Sequence, residues 1–368
     1  SPLKLMLQFA LPLLMGNLLQ QTYNIIDAAI VGQILGADAL ASVGSSSSVQ
    51  FLVLGFCIGC CAGFGVPVAR YFGAGDHRTM RNYIFNGAVL TAIIAAILMI
   101  ACSLSCGQIL HLLSVPDDIF GNAYVYLIVI FIGIPFTLLY NYLSSILRSV
   151  GDSRTPFLFL GFSAVLNIFL DLFCIIVLKW GCMGAAIATI TAQAISGILC
   201  FFYIRGKMQL LRLEKENMIV QKDAVKELLG MGLPMGFQFS ITAIGSMVMQ
   251  AANNGLGSIY VSAFTAAMRI KQFLLCPFDA IGTAASVFCS QNLGARQADR
   301  IKKGALEATI AGCIYGFSAG LILIFFGRPL SMIFLSKMRL QFWMHLQNIC
   351  AVWDSSSEFL ESSMCAEW

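Results

Sequence analysis

Charge is what this sequence most lacks. Only 11% of its 368 residues are Asp, Glu, Lys or Arg, against about 25% in soluble domains. So few charges cannot cover a surface that faces water, which excludes a soluble enzyme, a nucleic-acid binder and a disordered chain. Histidine is scarce as well: His77, His111 and His345 are too few and too scattered for a metal site. What is abundant is apolar, with 58% hydrophobic residues and a mean hydropathy of +0.83. The fold class expected is therefore an all-α polytopic membrane protein, because only helices and closed barrels satisfy every backbone group in lipid. Most of the thirteen cysteines fall inside apolar runs (Cys57, Cys60, Cys61, Cys102, Cys106, Cys174, Cys200), where they act as small apolar residues.

A membrane-crossing helix needs about 20 apolar residues. Nine such segments are legible, near 5–33, 43–69, 83–110, 120–147, 156–178, 182–204, 228–252, 259–290 and 304–335. The chain opens on Ser1-Pro2 without Met or a basic leader, so its N-terminus is expected to be clipped or incomplete. Orientation can be read from Lys and Arg. Arg70, Arg78 and Arg81 come after the second segment, and Arg148 and Arg154 after the fourth. Arg205, Lys207, Arg212, Lys215, Lys222 and Lys226 come after the sixth; Arg296, Arg300, Lys302 and Lys303 after the eighth. The connections on the other side, before the tail, carry only Lys179 and Arg328. The basic connections and the N-terminus are thus expected in the cytoplasm.

The longest polar connection, 205–227, divides a six-helix lobe (1–204) from the rest of the chain. At an offset of 221 residues, Leu35-Gly36 falls on Leu256-Gly257, Val66 on Val287 and Gly73-Ala74 on Gly294-Ala295. Six is an even number, so both halves enter from the same side and form parallel repeats, as in secondary transporters. The second lobe, 228–335, holds three helices where the repeat requires six. Residues 336–368 read as an atypical tail rich in Ser, Trp and acids. A C-terminal truncation is expected.

Ionisable residues inside a span cost about 2.5–3.5 kcal/mol each on insertion scales and usually face a cavity or a partner. The first helix carries Gln20, Gln21, Thr22, Asn24 and Asp27. The fifth places Asn167 and Asp171 at i, i+4 on one face. Tyr126 on the fourth and Thr189 and Gln193 on the sixth are further candidates. An acid in a low-dielectric cavity can hold and release a proton or bind a monovalent cation, the chemistry of a coupled transporter. Asp27 and Asp171 satisfying each other and their neighbours structurally is the alternative. Gln238, Arg269 and Lys271 on the seventh and eighth helices are candidates for a substrate cavity; the two cations could equally snorkel to an interface. Gly63-Phe64-Gly65 lacks the strand a dinucleotide loop needs, and Cys57, Cys60 and Cys61 lack a second ligand pair. Gly55, Gly59 and Gly63 form a small-residue face suited to close helix packing.

Several motifs then agree in order and spacing. Leu11-Pro12, Asp27-Ala28-Ala29-Ile30-Val31-Gly32 and Leu35-Gly36-Ala37-Asp38-Ala39-Leu40-Ala41 resemble the first helix and loop of the multidrug and toxic compound extrusion (MATE) family. So do Ala69-Arg70-Tyr71-Phe72-Gly73-Ala74-Gly75-Asp76, Leu147-Arg148-Ser149-Val150-Gly151-Asp152-Ser153-Arg154-Thr155-Pro156 and Ser290-Gln291-Asn292-Leu293-Gly294-Ala295. The resemblance covers about residues 3–335. It implies two parallel six-helix lobes around a cavity that opens alternately to each side. It also implies a secondary antiporter that exports amphipathic, often cationic compounds in exchange for H+ or Na+. The implied coupling site is Asp27, Tyr126, Asn167, Asp171 and Thr189. No enzyme activity, cofactor or nucleic-acid partner is expected; small drug-like molecules and the bilayer are. A monomer in the cell membrane is expected. Thr242 stands where one branch of the family places a glutamate, and an acid expected on the tenth helix has no counterpart. A lipid-linked saccharide flippase or exporter of the same superfamily is a second reading, and a non-functional truncated fragment a third.

Overall fold

The computed structural model describes residues 2–113, 115–254 and 258–334; the tail 336–368 lies outside the described residues. Among the described residues the chain is helical throughout and contains no strand. These residues form ten α-helices: α1 (Pro2–Leu35), α2 (Ala37–Gly73), α3 (His77–Leu112), α4 (Asp117–Ile132), α5 (Ile134–Ser149), α6 (Arg154–Leu172), α7 (Gly181–Lys207), α8 (Lys222–Asn254), α9 (Ser258–Gly294) and α10 (Ala298–Phe334). Eight are long and apolar enough to cross a membrane, or nine spans if the bent pair α4–α5 counts as one.

The structure departs from the sequence-based spans in three ways. The helices outrun their apolar cores: α2, α9 and α10 each have 37 residues, about 55 Å at 1.5 Å per residue, against a hydrocarbon core of about 30 Å. The segment expected as one helix over 120–147 bends by 46° between α4 and α5. Gly133 sits at the bend, where a Cβ would collide with Ile190, and Pro135 comes two residues later without an N–H to donate. The segment expected over 156–178 leaves the α-helical path after Leu172 for a π turn, Phe173–Val177. The linker expected over 205–227 is narrower, because α7 continues to Lys207 and α8 begins at Lys222. It is strapped to α3: Asn82 Nδ2 donates to the carbonyls of Asn217 and Ile219 at 3.1 and 2.8 Å, and Arg81 Nε donates to the Leu210 carbonyl at 3.0 Å.

The 221-residue repeat is visible in the backbone. α2 and α9 begin and end 221 residues apart, and α3 and α10 begin 221 apart. The turns after α2 and α9 match bond for bond. Ala74, Gly75 and Asp76 N–H donate to Arg70, Phe72 and Tyr71, as Ala295, Arg296 and Gln297 donate to Gln291, Leu293 and Asn292. Both turns pass through the left-handed region, at Gly75 (φ 73°) and Arg296 (φ 57°). Asp76 caps α3, its carboxylate accepting the Thr79 N–H at 3.0 Å and the Thr79 hydroxyl at 2.6 Å. These bonds hold the Asp76 carboxyl below the usual carboxylate range. The cap is therefore complete at neutral pH and lost as acid protonates it.

The two halves meet at the end of the molecule that carries the basic connections. Along α2, a Cβ at Gly59 would stand 2.5 Å from the Met235 carbonyl oxygen of α8, and one at Gly63 would stand 2.6 Å from Gly232 Cα. Lower down, a Cβ on Gly73 would collide with the Gln291 carbonyl, and one on Gly294 with the Arg70 carbonyl. Residue 291 is 70 plus 221 and residue 294 is 73 plus 221, so this crossing is two-fold symmetric. An ion pair from Arg70 Nη2 to Glu227 Oε1 at 2.6 Å and a hydrogen bond from Tyr83 to Glu227 flank it. Away from the basic end, Ile241, Ile244 and Val248 of α8 are exposed, beyond the stretch of α8 that packs on α2 through Gly232 and Met235.

Gly59→Leu should destabilise the protein by roughly 1–3 kcal/mol through overpacking. Gly121→Ala, where nothing lies within 4 Å of the added methyl, should be neutral. Thermal unfolding in detergent measures both; equal effects would contradict the close α2–α8 approach.

Candidate functional site

The first-half helices gather polar side chains in an otherwise apolar interior. α1 supplies Gln20, Tyr23 and Asp27; α4 supplies Tyr126; α6 supplies Asn167 and Asp171; α7 supplies Thr189 and Gln193. An apolar cluster holds these helices together, with Val31 of α1, Val43 of α2, Ile130 of α4, Ile175 of the π turn and Ala185 and Ala186 of α7 packed with Tyr126. Small residues on α7 let the other helices close in. At Gly184 a Cβ would stand 3.1 Å from Cys174 Cβ on the π turn, directly after Asp171.

At the centre are two carboxylates. Asp171 is 0% exposed, Asn167 2% and Tyr126 4%. Asp27 and Asp171 are near enough for the charge of each to act on the other, and both act on Tyr23 and Tyr126. Asn167 Nδ2 donates to Thr189 Oγ1 at 3.4 Å, and Thr189 Oγ1 donates to the Ala185 carbonyl at 3.1 Å. The Tyr23 hydroxyl sits against Gln20 and Gln193, and Tyr126 against Gln50.

What distinguishes the site is an excess of acceptors. Asp27 Oδ1, both Asp171 oxygens, Asn167 Oδ1 and Gln193 Oε1 are buried without a hydrogen-bond partner among the described groups. Buried polar groups in proteins are nearly always paired, and each exception calls for a reason. Three of these oxygens are on the facing carboxyl groups of Asp27 and Asp171, an acceptor cage that a proton or a monovalent cation would complete. Among the described residues no group of three or more His, Cys, Asp or Glu could hold a metal ion. The cysteines expected to be packing residues are so: Cys57, Cys60 and Cys61 are at most 1% exposed and lie in the core between the helices.

All five residues expected at the coupling site thus converge, and Gln20 and Gln193 join them. Asn24 is exposed on α1, one turn before Asp27. Gln238 is exposed on α8 and Lys271 half-buried on α9, both on second-half helices rather than around the carboxylates. The Arg269 side chain lies outside the described residues. Tyr23 and Gln50 escaped the sequence reading. Tyr23 lies one turn before Asp27, the spacing that had already singled out Asn167 beside Asp171; Gln50 gives no such signal.

A twin-lobed helix bundle with a donor-poor carboxylate pair inside the first lobe invites comparison with known transporters. The MatE family model matches residues 12–173 and 234–342, which is most of the chain and includes every residue of the site on α1, α4 and α6. The chain belongs to the MATE family. It is 31% identical over 335 residues to the probable multidrug resistance protein YpnP of Bacillus subtilis, covering 91% of this chain and 75% of that one. It is 24% identical over 345 residues to the FAD transporter of Shewanella oneidensis, covering 93% and 76%. A MOP-superfamily transporter from Pyrococcus furiosus superimposes with a TM-score of 0.87 at 21% identity, over 95% of this chain and 78% of that one. An outward-facing MATE family transporter superimposes with a TM-score of 0.88 over the same shares.

Asp171→Asn puts a donor beside the unpartnered oxygens of this MATE site. It should raise thermal stability by about 1 kcal/mol. A clear loss instead would mean that the Asp171 carboxylate is already held by hydrogen bonds.

Proposed function

We propose that this MATE transporter exports amphipathic, often cationic small molecules across the cell membrane by antiport against H+ or Na+. The observation that carries the reading is the buried pair Asp27–Asp171, with three of its oxygens unpartnered and two amide oxygens unpartnered beside it. A bound proton or cation fills the cage, and its loss leaves two carboxylates facing each other. That is a difference in ion affinity between two states of the site, the physical requirement for coupling. The relatives, multidrug resistance and export proteins among them, support the substrate class.

α1 is the element through which the ion state reaches the substrate path. It carries Asp27 and Tyr23 toward α6 and α7, and packs on α9 through Met6, Ala10 and Leu13 against Ala280 and Ala284. A shift of α1 on protonation or ion binding therefore moves both lobes. Positive-inside asymmetry supports placing the basic end, where the lobes are in contact, in the cytoplasm. The opposite end then faces outward, and an opening between the lobes there is the state that releases substrate. Exposed Asn24 and Gln238 are positioned to line that opening. Protomers are expected to act singly, as each has the whole Asp27–Asp171 site within one lobe.

Asp27→Asn should abolish coupled efflux of a cationic dye from proteoliposomes while leaving expression and thermal stability intact; unchanged efflux would remove Asp27 from the mechanism. Asn167→Ala should weaken coupling less. A reporter fused between Glu214 and Lys215 should read cytoplasmic, and an external signal would reverse the topology.

A further inference from the structure

The linker between the lobes carries two apolar groups whose surroundings differ. Met208, Leu210, Leu211 and Leu213 pack against the core of the first lobe. Met218, Ile219 and Val220 turn outward and are 45%, 57% and 59% exposed. Their neighbours in sequence are charged: Glu214, Lys215 and Glu216 come before them, Lys222 and Asp223 after. Single exposed apolar side chains need no explanation, but a contiguous apolar patch rimmed by polar residues marks a surface that meets something other than water.

Where the patch lies decides what covers it. Buried Asn82 and Asn86 fasten the linker to α3. Besides the Asn82 bonds, Asn86 Nδ2 donates to the Ile219 carbonyl at 3.1 Å, and Asn86 Oδ1 accepts the Gln221 N–H at 3.1 Å. At 3.6 residues per turn, Asn82, Asn86, Ile93, Ile97, Ile100 and Leu104 fall within a sector of about 60° on α3. The four apolar members of that stripe are exposed, while α3 packs by its other faces on α2, α4, α5 and α8. On a membrane-crossing helix, such a row faces acyl chains. The linker therefore covers the basic end of the lipid-facing stripe of α3, with Ile93 only about 10 Å further along the axis than Asn86. That is the level at which acyl chains give way to headgroups. Lipid also gives the two amides a purpose, because backbone groups that enter it must be satisfied within the protein. Asn82 and Asn86 satisfy the carbonyls of Asn217 and Ile219 and the N–H of Gln221.

We infer that the linker is a lipid-held strap: Met218, Ile219 and Val220 enter the headgroup–acyl boundary of the leaflet at the basic end, and Lys215 and Lys222, exposed on either side of them, meet the phosphates of anionic phospholipid. Apolar area supplies the insertion, and the lysines supply the preference for negative headgroups. Glu214 does not oppose this, since its carboxylate is paired with Arg81 at 2.6 Å. Arg212, Lys215, Lys222 and Lys226 then outnumber Glu216 and Asp223 along the stretch. The strap joins the two lobes just before α8 begins at Lys222, so the leaflet holds the connection on which their relative placement depends. The inference is independent of the antiport reading.

The experiment measures depth in the bilayer. A dansyl-bearing amino acid replaces Ile219 or, as a water-facing control in the same linker, Glu216, and the full chain is reconstituted in phosphatidylcholine vesicles. Both side chains are exposed, so neither replacement disturbs the packed helices. Phosphatidylcholine brominated in the upper acyl chain should quench the probe at 219 at least about threefold more than the probe at 216, as insertion to the acyl boundary requires. Equal quenching at the two positions would overturn the strap and leave the patch in water. The same bromine label is then carried on phosphatidylglycerol as a minor component. It should quench the probe at 219 about twice as strongly as an equal fraction of labelled phosphatidylcholine, through enrichment of the anionic lipid at the lysines. Lys215→Gln combined with Lys222→Gln should abolish that difference while leaving quenching by phosphatidylcholine unchanged. No difference in the parent chain, or one that survives both substitutions, would overturn the contact with anionic lipid.

Discussion

Close contact between backbones at glycine is the constraint on which this molecule depends. In lipid no hydrophobic drive pulls one apolar helix onto another, so association rests on van der Waals contact, and contact improves as side chains shrink. Gly59 and Gly63 bring α2 against Gly232 and Met235 of α8, and Gly73 and Gly294 bring α2 against α9. Because these glycines lie toward the basic ends, the closest contacts between the halves are there. The counterpart interface is built differently. Leu11 and Met15 of α1 stand 221 residues before Gly232 and Gly236, so α1 meets α9 through Ala280 and Ala284 with larger side chains between. The pseudo-symmetric molecule thus has one tight and one looser inter-lobe seam, and the looser one involves the helix that carries Asp27.

The ion pair of Arg70 with Glu227 and the bond from Tyr83 sit beside the glycine crossing. Their side chains are partly exposed, 31% and 25% for the pair, and such pairs contribute at most about 1 kcal/mol. They choose the register in which the lobes meet rather than supplying the main attraction. The linker does similar work: tied to α3 by Asn82, Asn86 and Arg81, it fixes where α8 starts relative to the first lobe.

Polar groups are treated in opposite ways in two parts of the interior. Many serine and threonine hydroxyls on the helices donate to the carbonyl one turn earlier, as Ser42, Ser46 and Ser149 do, and are thereby hidden from lipid. At the carboxylate pair three of the four oxygens are buried and left without donors. Uncompensated acceptors in a low-dielectric interior are destabilising, and they persist where the surrounding packing is strong enough to hold them. Here that packing is the core shared by α1, α2, α4 and α7 and the π turn directly after Asp171 and Leu172.

Much of this was determined by the sequence itself. Scarcity of charge together with long apolar runs leaves only membrane helices, and the 221-residue offset is written in Leu35-Gly36, Gly73-Ala74 and their partners. Helical periodicity alone put Asn167 beside Asp171, and the cost of burying an acid singled out Asp27. Local rules reach no further than one helix, and so the sequence placed Gln238 and Lys271 in the same candidate set as Asn24 although different helices carry them. That Asp27 faces Asp171 across 144 positions, that Tyr23 and Gln50 join them, and that their oxygens lack donors depended on how α1 leans on α6 and α7. The bend at Gly133 and the π turn after Leu172 were likewise tertiary decisions, because each answers a neighbour, Ile190 and Gly184, on another helix. Burial and pairing are properties of several helices at once, and only their packing assigns them.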